Sequence, residues 1–305
     1  LRRSSFRVIV SFVFGWFGGK INFMVKHMEK IIRLSAVSVF VLGGIIFSSN
    51  FSWAKTAPVS LVVPYIKEVP AGVSGGNWKN ACEEASIAMV EQFYTGKKVM
   101  NIDAGKAFMI KLFNKEDVLY GSNVNSDTDQ VKYLIDSYSD YNAKIIDNPT
   151  VAQIKSEIDA GRPVITPHYG FALGNKDIPF LRTGTSYHME TIIGYDDAAQ
   201  QFIVNDSGDP IDGPGHRYDY SVFMNSIHDY NYADKKADGP ARAVFTYPML
   251  VKIAGGSRIY YLYNNTSQYV TSPSVFTNHH WKWEAVNVVS ADWLKTFTQG
   301  AALNK

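Results

Sequence analysis

The chain has 305 residues with 30 basic and 28 acidic side chains, a formal net charge of +2, and one cysteine. No internal disulfide can form, so stability must come from packing, which 18 Tyr, 18 Phe and 6 Trp can supply. The first 54 residues hold seven of the basic and one of the acidic residues; the rest carries 23 against 27, a net −4, which excludes a basic nucleic-acid surface.

Two apolar stretches open the chain. The second has the order of an export signal: basic Lys26, Lys30 and Arg33, an apolar core from Leu34 to Phe47, then a polar exit ending Ser52-Trp53-Ala54. Small residues at Ser52 and Ala54 fit cleavage before Lys55. The rival is an uncleaved anchor, since Leu34–Ala54 approaches the roughly 20 apolar residues that cross a bilayer. Met24 and Met28 both precede this segment, which makes residues 1–23 a candidate misassigned start. The expectation is an extracytoplasmic protein, secreted or held by this segment alone.

From Val59 the chain alternates strand and helix signals. Leu61–Tyr65 reads as a short strand, followed by a glycine-rich loop over Ala71–Asn77. Asn80 with Glu83 three residues on reads as a helix cap, and Ala85, Ala88, Met89 and Phe93 form an apolar stripe ended by Gly96. Helices are predicted over Ala104–Phe113, Thr128–Tyr138 after Asp127, and Thr150–Ala160 before Gly161. The series Asn123, Asn125, Asp127, Asp129 lacks the turn glycine and terminal glutamate of a calcium loop, so no metal is assigned. Arg162–Ile165 launches a buried strand. The long loop His168–Ser186 is expected to border a cleft, because loops of that length in compact domains are usually functional. Strands 187–195 and 201–206 follow, then helical signal over Tyr220–His228. Ile259–Tyr263 and Gln268–Val270 flank the turn-forming pair Asn264-Asn265, and apolar segments follow at Trp281–Val289 and Trp293–Phe297.

Thiol chemistry needs a thiolate, a base and a group that orients the base. Cys82 begins a predicted helix, whose free N–H groups favour negative charge, whereas Glu83 and Glu84 beside it act against ionisation. Pairing the strands symmetrically about Asp197 sets His188 directly opposite Asp206 and turns Asn205 to the other face. A lone buried cysteine, a strand histidine and a turn aspartate are each common as structural residues. Their order along the chain is what points to a nucleophile, a base and an orienting carboxylate.

These segments resemble the C39-like branch of the papain-like cysteine peptidases. The matching pieces are Val63-Pro64-Tyr65, Ala81-Cys82-Glu83-Glu84-Ala85-Ser86, Gly161-Arg162-Pro163-Val164-Ile165, Tyr187-His188-Met189, Gly194-Tyr195-Asp196-Asp197, Phe202–Asp206 and Arg217–Tyr220. The resemblance spans about 61–230. It implies Cys82 as nucleophile, His188 as base then acid, and Asp206 as orienter. Better-known members have Gly-Pro after the cysteine where Glu83-Glu84 stand here, and a Cys-Glu-Glu-Ala subgroup looks closer. The usual oxyanion-hole glutamine is absent, position 76 being glycine. Asn77 or Asn80 could supply the amide; with Asn80 read as a cap, Asn77 is chosen. The last sixty residues resemble a small module of secreted bacterial proteins.

The expected architecture is α+β and papain-like: a helix carrying the cysteine packed on an antiparallel sheet carrying the histidine and aspartate. Residues 57–247 would form that domain, and 248–305 a small β-rich module. The expected function is an exported cysteine peptidase acting on peptide or protein substrates, without cofactor and without nucleic acid. The alternatives are an amidase or acyl transferase on cell-wall peptides, and a catalytically degenerate envelope binding or adhesion protein.

Overall fold

The computed structural model describes residues 57–304 except 122–124, 179–185 and 210. The signal-like segment and its cleavage site lie outside the described residues. No described helix is long and apolar enough to cross a membrane.

The chain enters through β1 (Val59–Ser60) and a 3₁₀ turn (Gly76–Asn80), then three helices: α1 (Cys82–Tyr94), α2 (Ile102–Tyr120) and α3 (Thr128–Tyr138). Next come β2 (Tyr141–Asp147), α4 (Val151–Asp159), β3 (Val164–Tyr169), the single turn α5 (Gly170–Leu173), β4 (Tyr187–Asp196), β5 (Gln201–Asn205), β6 (Pro214–Asp219), α6 (Tyr220–Ser226) and β7 (Arg242–Pro248). The remainder holds β8 (Leu250–Ile253), β9 (Ile259–Tyr263), β10 (Thr266–Tyr269), α7 (Pro273–Asn278), β11 (Val286–Val289), α8 (Ala291–Leu294) and β12 (Thr298–Gln299).

Seven strands form one antiparallel sheet in the order β2-β7-β3-β4-β5-β6, with β1 beside β4. Mixed helices and an antiparallel sheet make the fold α+β, consistent with a papain-like arrangement. Strand alternation divides β4 between two layers. Tyr187 and Met189 pack with Ile87 and Val90 of α1 and Leu134 of α3, while Ile192 packs with Ile154 of α4 and Phe223 of α6. At Gly194 a Cβ would stand 2.3 Å from the Val59 carbonyl oxygen, so only glycine lets β1 lie against β4.

Local chemistry accounts for most helix ends. Asp127 and Thr150 accept hydrogen bonds from the backbone N–H groups of Gln130 and Gln153, and Thr150 and Gln153 complete a capping box. Asn80 does not cap α1: the 3₁₀ turn runs straight into the helix, Ala81 occupies the cap position, and no side chain caps it. The predicted strand Leu61–Tyr65 is not a strand either. After β1 the segment's one backbone-to-backbone bond runs from the Leu61 N–H to the Ile193 carbonyl, because from Ile192 back to Tyr187 that edge of β4 is taken by β3. Helix α2 runs seven residues past the predicted end, to a left-handed Gly121.

The five-stranded sheet β11-β8-β9-β10-β12 encloses its own small core of Leu250, Val275 and Phe276. Asn264 and Asn265 both take positive φ, 45° and 57°, as a two-residue hairpin turn requires.

Candidate active site

Cys82, the first residue of α1, is 3% exposed. His188 lies on β4, and Asp206 directly follows β5. The structure brings the three together. His188 Nε2 stands 2.9 Å from Asp206 Oδ1, and a ring nitrogen of His188 lies within 4.8 Å of the Cys82 sulfur. With Nε2 committed to Asp206, Nδ1 is the nitrogen left for the thiol.

Asp206 is held as an anion by a dense set of donors. Its Oδ2 accepts from the Tyr218 hydroxyl at 2.8 Å and the Asn175 amide at 3.2 Å, and its Oδ1 accepts from the Gly208 N–H at 3.1 Å. Burial alone would raise this carboxyl, but His188 first, then hydrogen bonds with Glu190 and Tyr218, hold it well below the usual carboxylate range. Burial alone would lower His188, but the Asp206 carboxylate keeps its imidazole well above the ordinary value. The pair is therefore an ion pair sealed from water, with both side chains wholly inaccessible. Glu190 adds a third buried group 3.4 Å from His188 Nε2, and burial followed by the Asp206 charge pushes its carboxyl strongly up.

The direct opposition expected for His188 and Asp206 is corrected. Residues 197–200 form a four-residue turn in which Asp196 Oδ1 accepts from the N–H groups of Ala198 and Ala199, so Asp197 is not its centre. Asp196 pairs with Gln201, and beyond a bulge at Ile193 the pairs are Ile192 with Val204 and Thr191 with Asn205. One step further, Glu190 faces Asp206, and His188 is its diagonal neighbour on the same face. Asn205 points elsewhere, donating to the Val63 carbonyl at 3.2 Å.

The thiol differs from the expectation for a helix N-terminus. Burial first, then Glu83, pushes Cys82 well above its ordinary value, outweighing the hydrogen bond with His188. Its Sγ–H donates to Glu83 Oε2 at 3.0 Å, and the Ser126 N–H donates to Glu83 Oε1 at 2.8 Å. Burial raises Glu83 to about 8. Glu84 turns away and shares a hydrogen bond with Glu116, whose Oε1 accepts from the Ser126 hydroxyl at 2.7 Å; burial raises Glu84 strongly. The two acidic neighbours therefore part: one is engaged by another carboxyl, the other holds the thiol proton.

Asn77 lies half-buried in the 3₁₀ turn before α1, and Asn80 is exposed. Of the acidic series, Asn123 falls outside the described residues, Asp127 caps α3, and Asp129 pairs with Arg242. The loop after β3 does reach the site, through Asn175, although residues 179–185 lie outside the described set. Sequence reasoning missed Glu68, Asn175, Glu190 and Tyr218. Glu190 carried a usable signal, two residues from His188 on one strand face; the other three arrive from distant segments.

Residues 60–238, more than half of the chain, match the model of the Peptidase_C39 like family. Among solved structures, a putative C39-like peptidase from Bacillus anthracis is similar at 15% identity and a TM-score of 0.41, over 62% of this chain and 98% of that one. The wild type endolysin LysIME-EF1 is similar at 13% identity and a TM-score of 0.18, over 63% and 85%. No curated protein matches.

Proposed function

This chain belongs to the Peptidase_C39 like family, which suggests a peptidase, and from that premise we propose that it is an exported cysteine peptidase acting through Cys82, His188 and Asp206. The observation that carries the proposal is His188 standing between the other two: 2.9 Å from Asp206 Oδ1 and within 4.8 Å of the sulfur.

In this reading His188 is already the imidazolium, and Cys82 gives up its proton to the carboxylate form of Glu83, the acceptor of its Sγ–H. The thiolate sulfur bonds to the scissile carbonyl carbon as the π electrons move to oxygen. The Cys82 backbone N–H, in the first turn of α1 where the helix offers it no partner, is one donor to that oxyanion. Collapse of the intermediate breaks the C–N bond, and the His188 imidazolium protonates the departing amine. Water then adds to the acyl thioester with its proton passing to neutral His188, and the second collapse releases acid and thiolate. Asp206, fixed by Tyr218 and Asn175, orients the ring in both halves. Asn77 is the side-chain oxyanion donor that the sequence suggests.

The test is labelling and turnover together. A thiol-directed peptide electrophile should modify Cys82 at neutral pH, and Cys82→Ala should abolish both labelling and peptide hydrolysis. Failure to label the wild-type thiol sinks the nucleophile.

One observation favours a second reading, a degenerate binding protein on the same fold: the thiol is buried, and its proton is held by Glu83. That reading expects undetectable turnover in the wild type, with envelope binding unchanged by Cys82→Ala.

A further inference from the structure

The proposed reaction calls for a side-chain donor to the oxyanion, and the structure offers one that the sequence did not suggest. Between β1 and the glycine-rich loop, the segment 61–68 is fastened to the turn after β5. The Glu68 N–H donates to the Ser207 carbonyl at 3.0 Å, and the Tyr65 hydroxyl donates to the Asp206 carbonyl at 3.1 Å. This carries the Glu68 side chain, 7% exposed, into the site. One carboxyl oxygen of Glu68, the Cys82 sulfur and a ring nitrogen of His188 all lie within 4.8 Å of one another.

Resting on the reading of Cys82 as nucleophile, we propose that Glu68, as the neutral carboxylic acid, donates its O–H to the oxygen of the tetrahedral intermediate. It would act beside the Cys82 backbone N–H, in place of the side-chain amide assigned to Asn77. Two carboxyl forms have opposite consequences at this spot. The acid supplies a proton toward developing negative charge, whereas the carboxylate repels both the thiolate and the oxyanion.

The groups that face Glu68 pull both ways, His188 toward the carboxylate and Asp206 toward the acid, and burial decides for the acid. They are the His188 imidazolium on β4, the Asp206 carboxylate after β5, Cys82 at the head of α1, and the Tyr65 hydroxyl on its own segment. No lysine or arginine among the described residues forms an ion pair with Glu68. Burial, opposed by His188 and assisted by Asp206, raises this carboxyl to about 7. Activity should accordingly decline as pH rises past that value, at a point set by Glu68.

Hydrolysis of dye-quenched casein by the full chain between pH 5.5 and 9 tests this, using wild type, Glu68→Gln, Glu68→Ala and Cys82→Ala. Glutamine keeps a donor of the same length but does not titrate. The wild type should show Cys82-dependent turnover that falls above pH about 7. Glu68→Gln should stay within about tenfold at pH 6 and hold its rate to higher pH, and Glu68→Ala should lose about 10²–10³ throughout. A Cys82-dependent rate whose alkaline decline is the same in Glu68→Gln, or a Glu68→Ala rate within threefold of wild type, overturns this role while leaving the nucleophile intact. Should Glu68→Ala not fold, the glutamine profile alone decides. Absence of Cys82-dependent turnover in the wild type removes the nucleophile and this role together.

Discussion

The side chains of His188 and Asp206 meet at 2.9 Å because Ile193 is an extra residue in β4. The turn sets Asp196 opposite Gln201, and that register continued without interruption would place Thr191 opposite Asp206, with the carboxyl facing away from the histidine. The bulge shifts the pairing by one residue, and one residue is the whole difference between the two faces of a strand. Asp206 then shares its face with Glu190 and His188.

Removing the charge should therefore be read at the imidazole. In Asp206→Asn the His188 ring should titrate at lower pH than in the wild type, since burial then acts without the opposing anion. Turnover should fall by about 10²–10⁴. Ring-proton NMR across pH 5–10 measures the first effect; an unmoved His188 titration would mean that Asp206 does not set its charge.

Glu83 holds the thiol proton at 3.0 Å and opposes ionisation of Cys82. Replacing it with glutamine removes the negative charge while keeping an acceptor. The alkylation profile of Glu83→Gln, followed by mass spectrometry of iodoacetamide-treated protein, should move to lower pH than that of wild type. A shift to higher pH, or none, would show that Glu83 assists the thiolate.

Stability should decline as pH rises from 6.5 to 8.5. Burial raises Glu68 and Glu91 to about 7 and Glu83 to about 8. An acid raised in the folded state holds its proton more tightly there than in the unfolded chain. The stability this provides is present at low pH and disappears as pH climbs through the folded value. His188, also raised, acts in the same sense. His168 is held neutral by burial, between the hydroxyls of Ser226 and Thr166, and opposes the trend only below its ordinary value of 6.5. Over the stated interval the three glutamates lose roughly 3 kcal/mol, or about 5–10 °C in thermal midpoint. Calorimetry at the two pH values checks this, and Glu83→Gln should flatten the slope.

Tyr218 donates to Asp206 at 2.8 Å from within the sheet. Tyr218→Phe keeps the ring against Phe223 but leaves Asp206 Oδ2 with one donor fewer. A loss of about 1.5–3 kcal/mol in urea unfolding is expected for a bond to a buried charge. A change below about 0.5 kcal/mol would mean that Asn175 alone suffices.

Local signals were enough for the helices α3, with its cap Asp127, and α4, with its apolar stripe ended by Gly161, and for the Asn264-Asn265 hairpin. They were also enough to single out Cys82, His188 and Asp206, because a thiol at a helix start and a histidine strand returning to an aspartate are patterns of short range. They failed at Leu61–Tyr65, where β-propensity met a strand with no pairing edge left. They failed again at Asn80, displaced from capping by a 3₁₀ turn that continues into the helix.

Residue order thus determined which groups could do chemistry and the elements that bear them. Only the tertiary structure decided their state. Register across β4 and β5 depends on a bulge that no local rule predicts, and it chose the face of Asp206. The fastening of 61–68 onto Ser207 brought in Glu68, and enclosure of the cluster removed water. That enclosure matters most, because carboxyls, thiol and imidazole take their charges from what surrounds them in space, and neighbours in sequence supply only part of those surroundings.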